Sequence, residues 1–410
     1  MTRWLARSRA RSRARSRARA TAAFTARTVN ATVARTVAHT VAHTVARTVA
    51  LTVALTVALT VALTLGACAG TQTSAAPLRP VVRGPQWPVK TREHVDLWLH
   101  GFALLMEDTS AVPLFERGYG ERVTIEKNTR GLYTAFDSSR SALAAMVRTR
   151  PVLEGAQFLA LYFGTWEELR QAIDYFVNAE GDPAKATNRD VQGIIAFLAQ
   201  QFPRKEDREF ARRFTKALDG ERTSFHHQWW LDEQRARTAA LAAADSLWQR
   251  TWRPALQVYL NHTQQGNGDL IVSRVLGGEG RAVPAGKNAS QYAVAWPSTV
   301  DSADVLLFSF AHEAAGAVAN VAVNVHLTPA QQREGTGAKL AATGLVRGGA
   351  LLVARIDPAL AERYARWYLG QAGKPVPASG ALEALAAAFP MPDEMIASMK
   401  RQIDLAFVGI

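Results

Sequence analysis

Apolar residues crowd one stretch of this chain more densely than any other. Val305 to His326 reads VLLFSFAHEAAGAVANVAVNVH, long enough for six helical turns at about 3.6 residues each. Its polar members do not scatter. With His312 set at zero and about 100° per residue, Ser309, Glu313, Asn320 and Asn324 fall at about 60°, 100°, 80° and 120°, all in one sector. A helix that is apolar on its other faces is a core helix. A polar stripe inside a core must be hydrogen-bonded, hold a ligand or line a cavity, so the stripe of Ser309, His312, Glu313, Asn320 and Asn324 is the candidate site.

The same period predicts helices elsewhere. HVDLWLHGFALLM (94–106) opens the fold near Glu93, and Asp96 and His100 stand four apart as a local pair. Residues 107–150 are mixed, with turns at Glu116-Arg117-Gly118 and near Asn128. Thr165-Trp166-Glu167-Glu168 has the form of a capping box before Leu169, Ile173 and Phe176. Helices follow at 190–202, 205–235 and 237–263, whose Trp229, Trp230, Trp248 and Trp252 read as core rather than as a sugar platform. His226-His227 looks like a metal pair, but neighbours point apart on a helix, which leaves a surface or capping role.

After Gln265-Gly266-Asn267-Gly268 the period shortens to that of strands: Leu270–Leu276, a short Arg281–Pro284 and Tyr292–Trp296. Gly277-Gly278-Glu279-Gly280 between them lacks the Lys-Ser/Thr and the following helix of a phosphate loop. Thr328-Pro329-Ala330-Gln331 supplies an N-cap, a first-turn proline and a capping-box glutamine, so the apolar helix ends near Leu327.

The first 67 residues are a different material. Arg alternates with Ala and Ser over residues 3–19, Thr-Val-Ala then repeats every four residues, and no charge remains from Thr48 to Ala67. A basic segment running into an apolar one and then small residues is the pattern of a secretory signal. An arginine tract this long before it points to translation starting at an internal codon. Leu65-Gly66-Ala67-Cys68 resembles the lipobox of bacterial lipoproteins, which implies cleavage before Cys68 and lipidation of its thiol. That resemblance places the protein in the cell envelope, anchored to a membrane through Cys68 on the periplasmic or outer-membrane face; Ala69 lacks the usual inner-membrane retention cue.

Removing the signal changes the charge argument. Eleven of the 48 basic residues and no acid lie in residues 1–67, leaving 37 basic against 35 acidic residues. The excess that would suggest nucleic acid belongs to the signal, so nucleic-acid binding is excluded as the function. Cys68 is the one cysteine, which rules out an intrachain disulfide and any Cys-based zinc or nucleophile site. The organisation expected is a signal peptide (1–67), a Pro/Gly/Ser/Thr-rich tether (68–92), a helix-rich region (93–265) and an α+β region (266–410). The fold class is α+β, mainly helical, with a small sheet packed on the buried His-Glu helix.

A short sheet leading into a buried helix with His-Glu resembles the gluzincin branch of the zincin metallopeptidases, over about residues 270–355. In that family HExxH brings two zinc-binding histidines onto one helix face, the Glu acts as general base, and a Glu on a later helix is the third ligand. The resemblance puts His312 at the first ligand and Glu313 at the base, with Gly316 at the second ligand and Thr343, before Gly344, at the third. His326 is about 21 Å along the same helix and cannot substitute, and no spacing argues for Glu362. The expectation is a degenerate site, with no cofactor unless the protein is active, in which case zinc, and a function of binding a protein or peptide. An active metal-dependent hydrolase with unorthodox ligands, and a helical envelope lipoprotein without peptidase ancestry, are the alternatives. A serine hydrolase built on Ser309 and His312 lacks the G-x-S-x-G elbow.

Overall fold

A computed structural model of the chain describes residues 87–106 and 114–409. The stretches read as signal peptide, as lipobox with Cys68 and as most of the tether lie outside the described residues. The described residues belong to one compact unit, mainly helical with a small mixed sheet, an α+β fold.

The sheet is the middle layer. Strands β1 (Val89–Lys90), β2 (Asn267–Ser273), β3 (Arg281–Gly286) and β4 (Ala289–Ala295) stand in the order β1-β2-β4-β3, with β1, β2 and β4 parallel and β3 antiparallel to β4. Period-two alternation sends Leu270, Val272, Tyr292 and Val294 to one face and Ile271 and Ala293 to the other. Each face meets its own helical core. Both faces are therefore apolar, which is why these strands read as near-continuous hydrophobic runs.

The Ile271 face is covered by α1 (Glu93–Leu105), α2 (Tyr119–Thr129), α3 (Ala135–Thr149), α4 (Trp166–Asn178), α5 (Arg189–Gln201), α6 (Lys205–Glu221) and α7 (His227–Ala236), packed around Phe102, Phe136, Phe210 and Phe214. Residues 107–150 are thus more helical than expected, since α2 and α3 fill much of that stretch. The Leu270 face is covered by α8 (Thr238–Leu247), α9 (Arg253–His262), α10 (Asp304–Ala314), α11 (Gly316–His326), α13 (Thr336–Ile356), α14 (Pro358–Gln371), α15 (Ala381–Ala388) and α16 (Asp393–Val408), while the short α12 (Pro329–Arg333) buries no residue. The change of period at 265/266 marks a change of secondary structure and does not divide the cores. Ala244, Trp248, Trp252 and Leu256, from before it, pack with Leu306 and Phe310 from after it.

Two π turns, Arg222–His226 and Trp248–Trp252, interrupt the helices expected over 205–235 and 237–263. Caps follow the sequence closely. Thr328 forms the full capping box with Gln331. Thr165 accepts the N–H of Glu168, but the Glu168 carboxylate reaches one residue further back, to the N–H of Gly164 at 2.7 Å. The fold also starts before Glu93, inside the stretch assigned to the tether: Trp87 is fully buried and β1 pairs with β2.

Candidate functional site

The apolar run leaves β4 through a 3-10 turn and becomes α10, but it does not continue as one helix. It breaks at Ala315. The Val318 N–H bonds the Ala315 carbonyl at 3.1 Å instead of that of Ala314, and the Tyr259 hydroxyl donates to the freed Ala314 carbonyl at 2.9 Å. Before the break the helix is enclosed on all sides. After it, α11 packs one face through Ala319 and Ala322 against Met399 and leaves the other to solvent.

The break divides the predicted stripe. Ser309 and His312 are fully buried and Glu313 nearly so, whereas Asn320 and Asn324 are exposed beside Val321 and Val325. The angular sector is real, but past Ala315 it looks out of the protein, so Asn320 and Asn324 do not belong to a buried site. Ser309 is a structural acceptor. Its hydroxyl takes the N–H of Ala295 at 3.2 Å, tying the helix to the end of β4.

His312 is held on every side. Its Nδ1 lies 3.1 Å from Glu313 Oε1 and its Nε2 3.5 Å from the Tyr368 hydroxyl, and its ring stacks on that of Tyr368 with centroids 5.4 Å apart. Glu313 Oε1 also accepts the N–H of Gly280, from the Gly-Gly-Glu-Gly turn, at 3.3 Å. Burial alone would raise the Glu313 carboxyl. The hydrogen bond and charge of His312, the charge of Arg281 and the Gly280 N–H outweigh it and hold the group below its usual value. Tyr368 is pushed well above the ordinary phenol, mainly by burial and then by the nearby carboxylate of Glu279.

α13 seals the opposite side with glycines. A Cβ on Gly349 would sit 3.1 Å from the His312 Cα and 2.6 Å from the Tyr364 hydroxyl, and one on Gly348 would sit 3.0 Å from the Cβ of Ala315. Gly344 faces Ala319. The two helices thus run past each other with Gly349 level with His312. Thr343 lies six residues earlier, about 9 Å along the axis at 1.5 Å per residue, so it is not opposite His312. Gly316 opens no notch either, because Leu345 Cδ2 stands 3.2 Å from where its Cβ would be. Glu362 caps α15 through the N–H groups of Ala381 and Leu382. These residues do not fit the three-ligand zinc set of the zincins: one imidazole is present, both its nitrogens are engaged, and the other two positions fall elsewhere. Among the described residues no group of three His, Cys, Asp or Glu side chains comes together as a metal site.

A second polar cluster sits in the first core, and the sequence reading missed most of it. Asp96 and His100 do not pair. Asp96 accepts from Trp230 Nε1 at 2.8 Å, while His100 meets the Tyr119 hydroxyl at 2.8 Å through Nδ1 and Glu221 Oε1 at 3.0 Å through Nε2. Glu221 also receives Lys127 Nζ, at 2.7 Å, and the Thr134 hydroxyl, and Lys127 reaches Asp137 at 2.8 Å. Arg274 lies over the Trp229 ring at 3.9 Å and pairs with Glu233 at 3.0 Å. His226 and His227 do point apart. His227 bonds Glu93 at the surface, but His226 is buried with its ring 5.0 Å from that of His100. A signal was present: Glu221 falls on the Phe210, Phe214, Leu218 face of α6, and Lys127 on the Tyr119, Val123 face of α2. A charge at a core position of an amphipathic helix requires a buried partner.

No family model, no curated protein sequence and no solved structure matches the chain.

Proposed function

We propose that this is an exported lipoprotein, anchored to a membrane of the cell envelope through Cys68, whose zincin-like α+β domain acts by binding a protein or peptide rather than by hydrolysis. The observation that carries the reading is the closure of His312. Glu313 holds the Nδ1 side of the ring, and the Tyr368 hydroxyl stands 3.5 Å from Nε2, where a metal would have to bind. The sheet lying against α10 favours this reading over an all-helical lipoprotein, since Ala295 at the end of β4 and Gly280 before β3 both donate to the helix that carries His312.

Two measurements test it. Cys68→Ala should leave the precursor unprocessed or release the protein from membranes, because a thiol is the acceptor for the first lipid and the chain has one cysteine. Unchanged membrane fractionation and an unchanged mature mass would refute the anchor. On the site, metal analysis of the purified wild type should find no stoichiometric zinc. His312→Ala should lower stability by about 1–3 kcal/mol, the cost of leaving buried polar partners unpaired, and leave any partner bound. One tightly held zinc per chain, lost in His312→Ala together with a hydrolytic activity, would establish the active enzyme instead.

A further inference from the structure

The buried histidine pair of the first core has a geometry that its structural neighbours do not require. His226 closes the π turn that joins α6 to α7, is 1% exposed, and its Nδ1 has no hydrogen-bond partner among the described residues. π turns of this kind recur at functional positions in helices. The groups whose charge reaches it come from three elements: His100 on α1, Arg274 after β2, and Arg222 and His227 on its own segment. All four are cations or can become cations. Three carboxylates of the neighbourhood are committed to other partners, Glu221 to His100, Lys127 and Thr134, Glu93 to Arg222 and His227, and Glu233 to Arg274 and Arg237, while Asp96 accepts from Trp230 through Oδ2 and its buried Oδ1 has no hydrogen-bond partner among the described residues. Tyr119 and Lys127 of α2 complete the surround, the first bonded to His100 and the second over the Phe225 ring.

We propose that the π turn and α7 form an acid-released latch on α1, in which protonation of His226 frees residues 222–236 from His100 and Asp96 while the sheet and the second core stay folded. A proton on His226 in the closed state meets desolvation first and then repulsion from His100 and Arg274, which together hold the ring well below the usual histidine range. The open segment has neither penalty. Closure is therefore fully stable above about pH 6.5 and weakens as pH falls below it, toward the depressed value of the folded ring. His100, also lowered by burial, keeps its bonds to Tyr119 and Glu221 outside the released segment and does not change the balance. Asp96 acts against it: burial raises this carboxyl to about 6, so the closed state binds its proton more tightly and gains stability as pH falls. Glu221, held at about 2, does not enter until lower pH. The open His226 ring takes up its proton as pH falls below about 6.5, slightly above the value near 6 at which Asp96 begins to oppose it, so a smaller net release remains.

The latch does not depend on the export reading or on the His312 site. Hydrogen exchange of the full chain, corrected for intrinsic rates, is compared at about pH 7.5 and 5.5 in the wild type and in His226→Gln. The wild type should show about threefold faster exchange over 222–236 at the lower pH, the tenfold opening expected from one histidine over one unit less the opposing gain from Asp96, with 304–314 and 346–353 unchanged. His226→Gln should lose the increment. An equal increment in both proteins, or acceleration spread over both cores, overturns the latch. Should His226→Gln not fold, NMR titration of the His226 ring in the wild type decides: a ring that protonates near 6.5 with 222–236 still protected overturns it, and a ring that stays neutral until the segment opens supports it.

Discussion

Glu221→Ala should cost about 3 kcal/mol or more of folding stability. The glutamate is fully buried and accepts from Lys127, His100 and Thr134 at once. Removing one member of a buried ion pair leaves the other charge desolvated and costs about 3–5 kcal/mol. Asp137 still reaches the Lys127 ammonium at 2.8 Å, which places the expectation at the lower end of that range. The same residue sets an acid limit. Burial alone would raise its carboxyl, but the His100 hydrogen bond and the charges of His100 and Lys127 bring it down to about 2. A carboxyl depressed in the folded state contributes stability that is present above its unfolded value, near pH 4.5, and lost as pH falls toward 2. Denaturant titrations at neutral pH and at about pH 3 check both statements. Glu221→Gln should flatten the pH dependence between these points, and a neutral-pH loss below about 1 kcal/mol for the alanine variant would refute the buried pair.

Trp87→Ala should cost about 3–5 kcal/mol, the range for truncating a large aromatic in a packed core. The indole is fully buried against Trp248, Tyr292 and Phe310, with ring centroids 6.3, 5.5 and 5.7 Å away. Its backbone carbonyl accepts from Trp248 Nε1 at 3.0 Å and Gln249 Nε2 at 3.1 Å. Gly268 is the complementary position, since a Cβ there would stand 2.7 Å from the indole and 2.0 Å from the Ser290 carbonyl. A chain starting at Glu93 loses this residue together with β1 and should be less stable by at least as much. Equal unfolding midpoints for chains starting at residues 87 and 93 would show that Trp87 is not part of the cooperative fold.

The helical stretches from α4 to α9 were legible because their apolar spacing is local, although the π turns at Arg222–His226 and Trp248–Trp252 that divide two of them were not, and the strands because a sheet buried on both faces needs β-branched and apolar residues in succession. Thr328 with Gln331 could be read directly, since a capping box is closed within four residues. Trp87 could not. It stands in a Pro/Gly-rich stretch whose composition resembles a tether, and its burial comes from residues more than 150 positions away. The interruption at Ala315 was hidden for a similar reason: the local sequence is apolar and small on both sides, and the carbonyl freed there is satisfied by Tyr259 of α9.

Of the candidate site, the sequence by itself determined that His312 and Glu313 lie in a core helix, that Gly316 offers no second imidazole, and that Cys68 has no second cysteine in this sequence to pair with. Side-chain chemistry and helical spacing are local, and they suffice for such statements. What only the tertiary structure decided is which polar groups face which. Asn320 and Asn324 share an angular sector with Glu313 yet lie outside the core, Gly349 rather than Thr343 stands level with His312, and His100 turns from Asp96 to Glu221. The physical reason is the same in each case. A buried polar group takes the partner that compensates its desolvation, and that partner is supplied by helix packing between segments distant in sequence.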